Sequence, residues 1–163
     1  MFDIYVTDLS KEPVMYNKIL VPLDGSKRAE AILPHVEEMA RRYGAEIIFL
    51  RVEELHVMLE WDEVVDLEKC REKFDTRKKA SEFYLDKFKT EFRDKGIQAG
   101  ARVVDGPVVK SILTTAEEMD VDIILMASHG LGGLPRTFYG SVTAGVLQKI
   151  DRPLLIIRTR RIE

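Results

Sequence analysis

A single cysteine, Cys70, rules out an internal disulfide, and the three histidines, His35, His56 and His129, stand too far apart in sequence to complete a Cys/His zinc pairing. No apolar run approaches the roughly 18 residues that a membrane span needs. The opening stretch, MFDIYVTDLSKEPVM, carries an acid where a signal peptide would carry lysine or arginine. Internal repeats with a period of about 20 to 50 residues are absent, as is any low-complexity stretch. Charge of one sign is lacking too: 25 basic against 28 acidic residues leave a formal charge of −3, which disfavours a general binder of nucleic-acid backbone. The expectation is a soluble, unexported, cytoplasmic protein with no structural zinc and with neither nucleic acid nor membrane as a partner.

At 163 residues and 45% apolar content, with 7 phenylalanines, 5 tyrosines and 1 tryptophan, the chain has the size and the material for one continuous core. Residues 15–160 read as that single domain and residues 1–14 as an N-terminal extension. Within the extension Phe2, Ile4 and Val6 alternate with Asp3, Tyr5 and Thr7 at the period of a half-buried strand. It is either a disordered tail or an arm that adds to a sheet edge or a partner subunit.

Along the main body, short apolar runs alternate with helical patterns. Lys18 to Leu23 reads as a buried strand ended by Asp24, Gly25 and Ser26. Ser26 is a good N-cap for a helix whose Ala29, Ile32, Leu33, Val36, Met39 and Ala40 share a face, with a bend expected at Pro34 and an end at Tyr43 and Gly44. AEIIFLRV is the second strand. Residues 53–68 then hold seven acids and no lysine or arginine, and residues 69–95 ten basic residues against six acidic, an order that suits the dipole of a long helix. On that helix Tyr84, Phe88 and Phe92 make a stripe that reads as core packing. QAGARVVDG is the third strand, Pro107 opens a helix carrying Val109, Ile112, Leu113 and Ala116, and VDIILMAS is the fourth strand. A glycine-rich loop from Gly130 to Gly140, a short helix from Ser141 to Ile150 and RPLLIIRT as the fifth strand complete the pattern. Such alternation predicts an α/β fold, a parallel sheet with helices on both faces.

Ligands of open α/β sheets bind beyond the carboxyl ends of strands, where successive connections turn to opposite sides. Two loops are equipped for that place: Pro22 to Ser26 after the first strand, and Met126 to Gly130 after the fourth, continuing to Gly140, Ser141 and Val142. Glycines let backbone amides approach an anion closely, and Gly140–Ser141 sits where a helix begins. The loop contains no GxxxxGK(S/T), and Gly130-Leu131-Gly132 lacks a third glycine at position 135, which is proline. Ser128 and His129 do not make a GxSxG elbow, because Met126 stands where its first glycine belongs.

This arrangement resembles the universal stress protein family, whose nucleotide-binding members carry a strand-one aspartate and a G-x2-G-x9-G-(S/T) loop. ILVPLDGS, the glycine in VVDGP, LMASHG, Gly140–Ser141 separated from Gly130 by nine residues, and RPLLIIR all fall in family order. The resemblance implies a Rossmann-like, doubly wound domain with strand order 3-2-1-4-5, an ATP-type ligand between strands one and four, and a homodimer through the last strand. It places Asp24 and Val52 at the adenine, Pro22 and Met126 along the pocket wall, Ala127 beside the ribose, and Gly130, Gly140, Ser141 and Val142 at the phosphates. A carboxylate suits a ribose hydroxyl or adenine amine, and valine an apolar wall. Asp24 is alternatively a cap of the following helix, and Arg136 alternatively a loop charge near the phosphates or a solvated one.

Ala127 replaces the first glycine of the motif. If that position needs a left-handed backbone, its methyl costs about 1–2 kcal/mol; in β-like backbone it costs little. The expected function is a nucleotide-binding stress-response or regulatory module, with Mg2+ arriving on the nucleotide. No catalytic base, Walker lysine or metal-binding carboxylate cluster stands out, so slow ATP hydrolysis is the most that is expected of it as an enzyme. The alternative is a protein-interaction subunit on the same scaffold that has lost nucleotide affinity.

Overall fold

The computed structural model describes residues 15–54, 67–128 and 139–158. Apolar runs too short for helices become strands: β1 (Lys18–Pro22), β2 (Glu46–Glu53), β3 (Ala99–Asp105), β4 (Ile123–Ala127) and β5 (Leu154–Ile157). Every pairing is parallel and the order is β3-β2-β1-β4-β5, as the resemblance implied. Side chains alternate across the strands. Ile19, Val21, Ile47, Phe49, Ile123 and Leu125 fill one core layer, and Leu20, Ile48, Leu50, Ile124 and Met126 the other.

Helices α1 (Lys27–Glu30), α2 (Leu33–Tyr43) and α3 (Leu67–Asp94) pack on the first layer, α4 (Val108–Glu118) and α5 (Ser141–Lys149) on the second. Two successive crossovers in one direction share a face, and the reversal after β3 sends the next two to the other. The stripe of α3 is core: Phe88 and Phe92 are buried, and Phe49 meets Phe92 edge to face at 5.1 Å. Gly145 of α5 lies against Val109 of α4, so closely that a Cβ there would stand 2.8 Å from Val109 Cγ2.

Some boundaries differ from expectation. The first helix does not bend at Pro34 but breaks before it, because the proline ring excludes the carbonyl four residues earlier, that of Glu30, where α1 ends. Pro34 then lies in the first turn of α2, where its missing N–H costs nothing. The fourth strand starts at Ile123 and not Val121, since the Asp122 carboxylate turns back to accept from the amides of Asn17 and Lys18 at 2.7 and 2.9 Å. The fifth starts at Leu154: Arg152 Nη1 donates to Ala116 O and Val121 O at 2.7 and 3.0 Å, holding the preceding turn to the end of α4. The alternating arm of residues 1–14 and most of the acidic run lie outside the described residues.

Candidate functional site

The sheet parts at its topological switch point. β1 and β4 pair at Ile19↔Ile123 and Leu20↔Ile124 and no further. Their outer ladders continue: β1 with β2 through Pro22↔Leu50, and β4 with β5 through Ala127↔Ile157. Leu23 N–H then donates to Leu50 O, and Ser128 N–H to Ile157 O, both at 2.8 Å. Pro22 has no N–H to offer across the gap. The carboxyl ends of the two central strands therefore run on without pairing to each other, at the crevice where the fold class places ligands.

On the β1 side, Asp24 Oδ1 accepts from Ser26 N–H at 2.9 Å and from Ser26 Oγ at 2.6 Å. Ser26 Oγ in turn accepts from Ala29 N–H at 3.1 Å and caps α1. Asp24 thus acts on the helix end at one remove, by orienting the capping serine, and the same bonds fix its carboxylate just beyond the carboxyl end of β1. Gly25 between them has φ +84°, a left-handed conformation that a side chain would strain.

Pro22, Val52 and Met126 continue the face of Leu20, Ile48 and Ile124, and Val52 and Val142 pack against that layer. Three of the expected apolar contacts, at the ends of three strands, are thus on the α4/α5 side of the sheet. Ala127 is one residue out of phase. It belongs to β4, opposite Ile157, and is 6% exposed. Asp120 is the only non-glycine residue with positive φ among the described residues. The left-handed penalty considered for Ala127 therefore does not arise, and its methyl points to the opposite face from Met126.

The floor is the start of α5. Gly140 is its N-cap, with φ −67° and ψ 160°, and no side chain caps the end. The Gly140 amide donates to Ser128 O at 2.8 Å, and Thr143 Oγ1 to Ala127 O at 3.0 Å, which tie the helix start to the end of β4. Among the described residues nothing accepts from the amides of Ser141, Val142 or Thr143, so first-turn donors and the positive end of the dipole face outward together. The start of α4 differs, for there Glu54 Oε1 accepts from Val108 N–H at 3.1 Å. Thr143, a buried residue not singled out from sequence, is legible only as a hydroxyl in the first turn after Gly-Ser. Gly130, His129 and Arg136 lie outside the described residues. Among those described, no group of three or more His, Cys, Asp or Glu is placed to hold a metal ion, and no helix is long and apolar enough to cross a membrane.

The model of the universal stress protein family matches residues 15–158. Universal stress protein MJ0577 of Methanocaldococcus jannaschii is 32% identical over 158 residues, covering 90% of this chain and 98% of its own. Its solved structure gives a TM-score of 0.79 at 31% identity, over 90% of this chain and 99% of that one. The fold is shared with a universal stress protein solved in complex with cAMP, with TM-score 0.58 and 19% identity over 89% of this chain and 98% of that one. One from Archaeoglobus fulgidus, solved in complex with dAMP, has TM-score 0.55 and 20% identity over 87% and 98%. With a family match over the whole sheet and a relative alike along almost its full length, the chain belongs to the universal stress protein family.

Proposed function

We propose that this protein binds ATP or a related adenine nucleotide in the cleft between β1 and β4, and that residues 15–160 act as a nucleotide-responsive stress or regulatory module. The observation that carries this reading is the parting of the central ladder beyond Leu20 and Ile124, in front of an α5 N-terminus that no side chain caps. Apolar walls from Pro22, Val52 and Met126 suit a planar base, Asp24 a hydroxyl or exocyclic amine, and the amides of Ser141 and Val142 a phosphate. Gly130 joins the phosphate end, Gly140 brings the backbone close, and Ala127 lies by the ribose with its methyl turned away. The cAMP and dAMP complexes are those of two other proteins of this fold, and they are in keeping with an adenine ligand here. Mg2+ enters with the nucleotide, whose phosphates supply its oxygen ligands.

A homodimer through the last strand completes the reading. β5 is an edge strand of four apolar residues, all only half-buried, and a second copy would cover it. Binding is tested by thermal shift: at 100 times Kd a ligand adds about 2.7 kcal/mol, on the order of 5–10 °C for a chain of this size. Ser141→Glu, which sets a carboxylate among the phosphate donors, and Gly140→Val, which crowds them, are expected to abolish the shift while leaving the protein folded. No shift with folded wild-type protein overturns the proposal and favours the interaction-subunit alternative, and an equal shift in both variants overturns it by placing the ligand away from the start of α5.

A further inference from the structure

Behind the Asp24 turn, on the sheet face opposite the proposed pocket wall, β2 places a cation in line with core residues. Arg51 follows Ile47 and Phe49 toward α3. Its Nε donates to Glu53 Oε1 at 3.1 Å, and that oxygen also accepts from Ser81 Oγ of α3 at 2.5 Å. The guanidinium carbon lies 5.8 Å from the ring centroid of Tyr84, also on α3, and Tyr84 OH donates to Glu30 Oε1 of α1 at 3.3 Å. Its far end presses on the turn itself. A Cβ at Gly25 would stand 2.6 Å from Arg51 Nη1 and 3.8 Å from Nη2.

A partly buried ion pair is poor evidence of stabilisation, because desolvation offsets its attraction. What it supplies here is position. A planar guanidinium held by a ring face and by a carboxylate that a helix serine fixes in turn has little freedom, and it fills the space under a turn whose central residue has no side chain. We infer that Arg51 is a positioning residue: braced by Glu53, Ser81 and Tyr84, it supports the Asp24–Gly25–Ser26 turn and so holds the Asp24 carboxylate in the orientation that recognises the base and ribose end of the nucleotide. This rests on the nucleotide reading for its ligand, but the support of the turn is a property of the unliganded protein.

The experiment compares wild type, Arg51→Met, which keeps an unbranched stem without the fork, and Arg51→Lys, which keeps the charge. Amide hydrogen exchange is followed without ligand, and affinities are measured for ATP, adenosine and inorganic tripolyphosphate. In Arg51→Met the amides of Ser26 and Ala29 are expected to exchange about tenfold faster while those of α4 and α5 do not change. ATP and adenosine are expected to weaken by a common factor of about ten, near the lower end for a hydrogen bond to a charged group, with tripolyphosphate unaffected. Arg51→Lys should shift both readouts the same way and less. Unchanged exchange, faster exchange throughout α4 and α5, or tripolyphosphate weakening along with ATP each overturns the inference. If wild type binds neither ATP nor adenosine while turn exchange responds as expected, support of the turn stands and the nucleotide reading falls. If wild type binds and Arg51→Met changes nothing, the inference alone falls.

Discussion

Restoring the family glycine with Ala127→Gly separates two accounts of this position. Were Ala127 held in left-handed backbone, glycine would relieve about 1–2 kcal/mol and could tighten nucleotide binding by about tenfold. The structure gives the opposite expectation. Ala127 is paired with Ile157 in β4 and is 6% exposed. Removing its methyl forfeits about 0.8 kcal/mol of burial. The added backbone freedom in a strand interior costs roughly another 0.5–1 kcal/mol. Together these lower stability by about 1.5 kcal/mol, or about 3–6 °C in Tm for a domain of this size. Affinity should not improve, because the methyl faces away from Pro22, Val52 and Met126. Urea unfolding followed by far-UV circular dichroism reads the stability, and isothermal titration with Mg·ATP reads the affinity. Binding tightened tenfold or more with no loss of stability would refute the assignment of Ala127 to regular strand backbone.

Three further outcomes follow from particular contacts. Gly145→Ala should lose roughly 1–3 kcal/mol to overpacking against Val109 despite alanine's better helix propensity, and Val109→Ala should recover part of it; additive effects in the double-mutant cycle would contradict the contact. Glu54→Ala uncaps α4 and should lower stability by about 1 kcal/mol in urea unfolding, whereas an unchanged midpoint would rule out the Glu54–Val108 bond. Burial first, then the Glu30 carboxylate, pushes the Tyr84 phenol well above its ordinary range, so the folded state favours its neutral form. That contribution is complete below the unfolded value of about 10 and is lost as pH rises toward the folded one. Urea midpoints of wild type should therefore fall more steeply above pH 10 than those of Tyr84→Phe, and parallel curves would be inconsistent with a half-buried phenol beside the Glu30 carboxylate.

The strands were legible because residues such as Leu20, Ile48 and Ile124 are buried between helix layers, so parallel strands appear as nearly unbroken apolar runs. Ser26 and Gly44 marked helix ends correctly because caps are local. Pro34 marked a disturbance but not its place, since the excluded carbonyl lies four residues upstream. At the site, the Asp24 and Gly140 loops were recognisable from glycines and spacing. The bond from Gly140 N–H to Ser128 O was not, because it forms only when α5 is laid against the end of β4. Arg51 and Glu54 escaped notice for a related reason. Glu53, which holds Arg51, meets Ser81 28 positions away, and Glu54 meets Val108 54 positions away, distances that only the folded sheet brings together. The backbone of Ala127 likewise depends on its ladder with β5 and could not be read from its neighbours in sequence.

On this account a nucleotide lies across the parted strands with its phosphates on α5. Titrating Mg·ATP into isotopically labelled protein and following backbone amide resonances tests it residue by residue. Large, saturable shifts are expected at Ser141, Val142, Asp24, Gly25 and Val52, with the distant Lys95–Ile97 turn unmoved. Saturable shifts confined to other surfaces, or a spectrum unchanged by millimolar nucleotide, would contradict it.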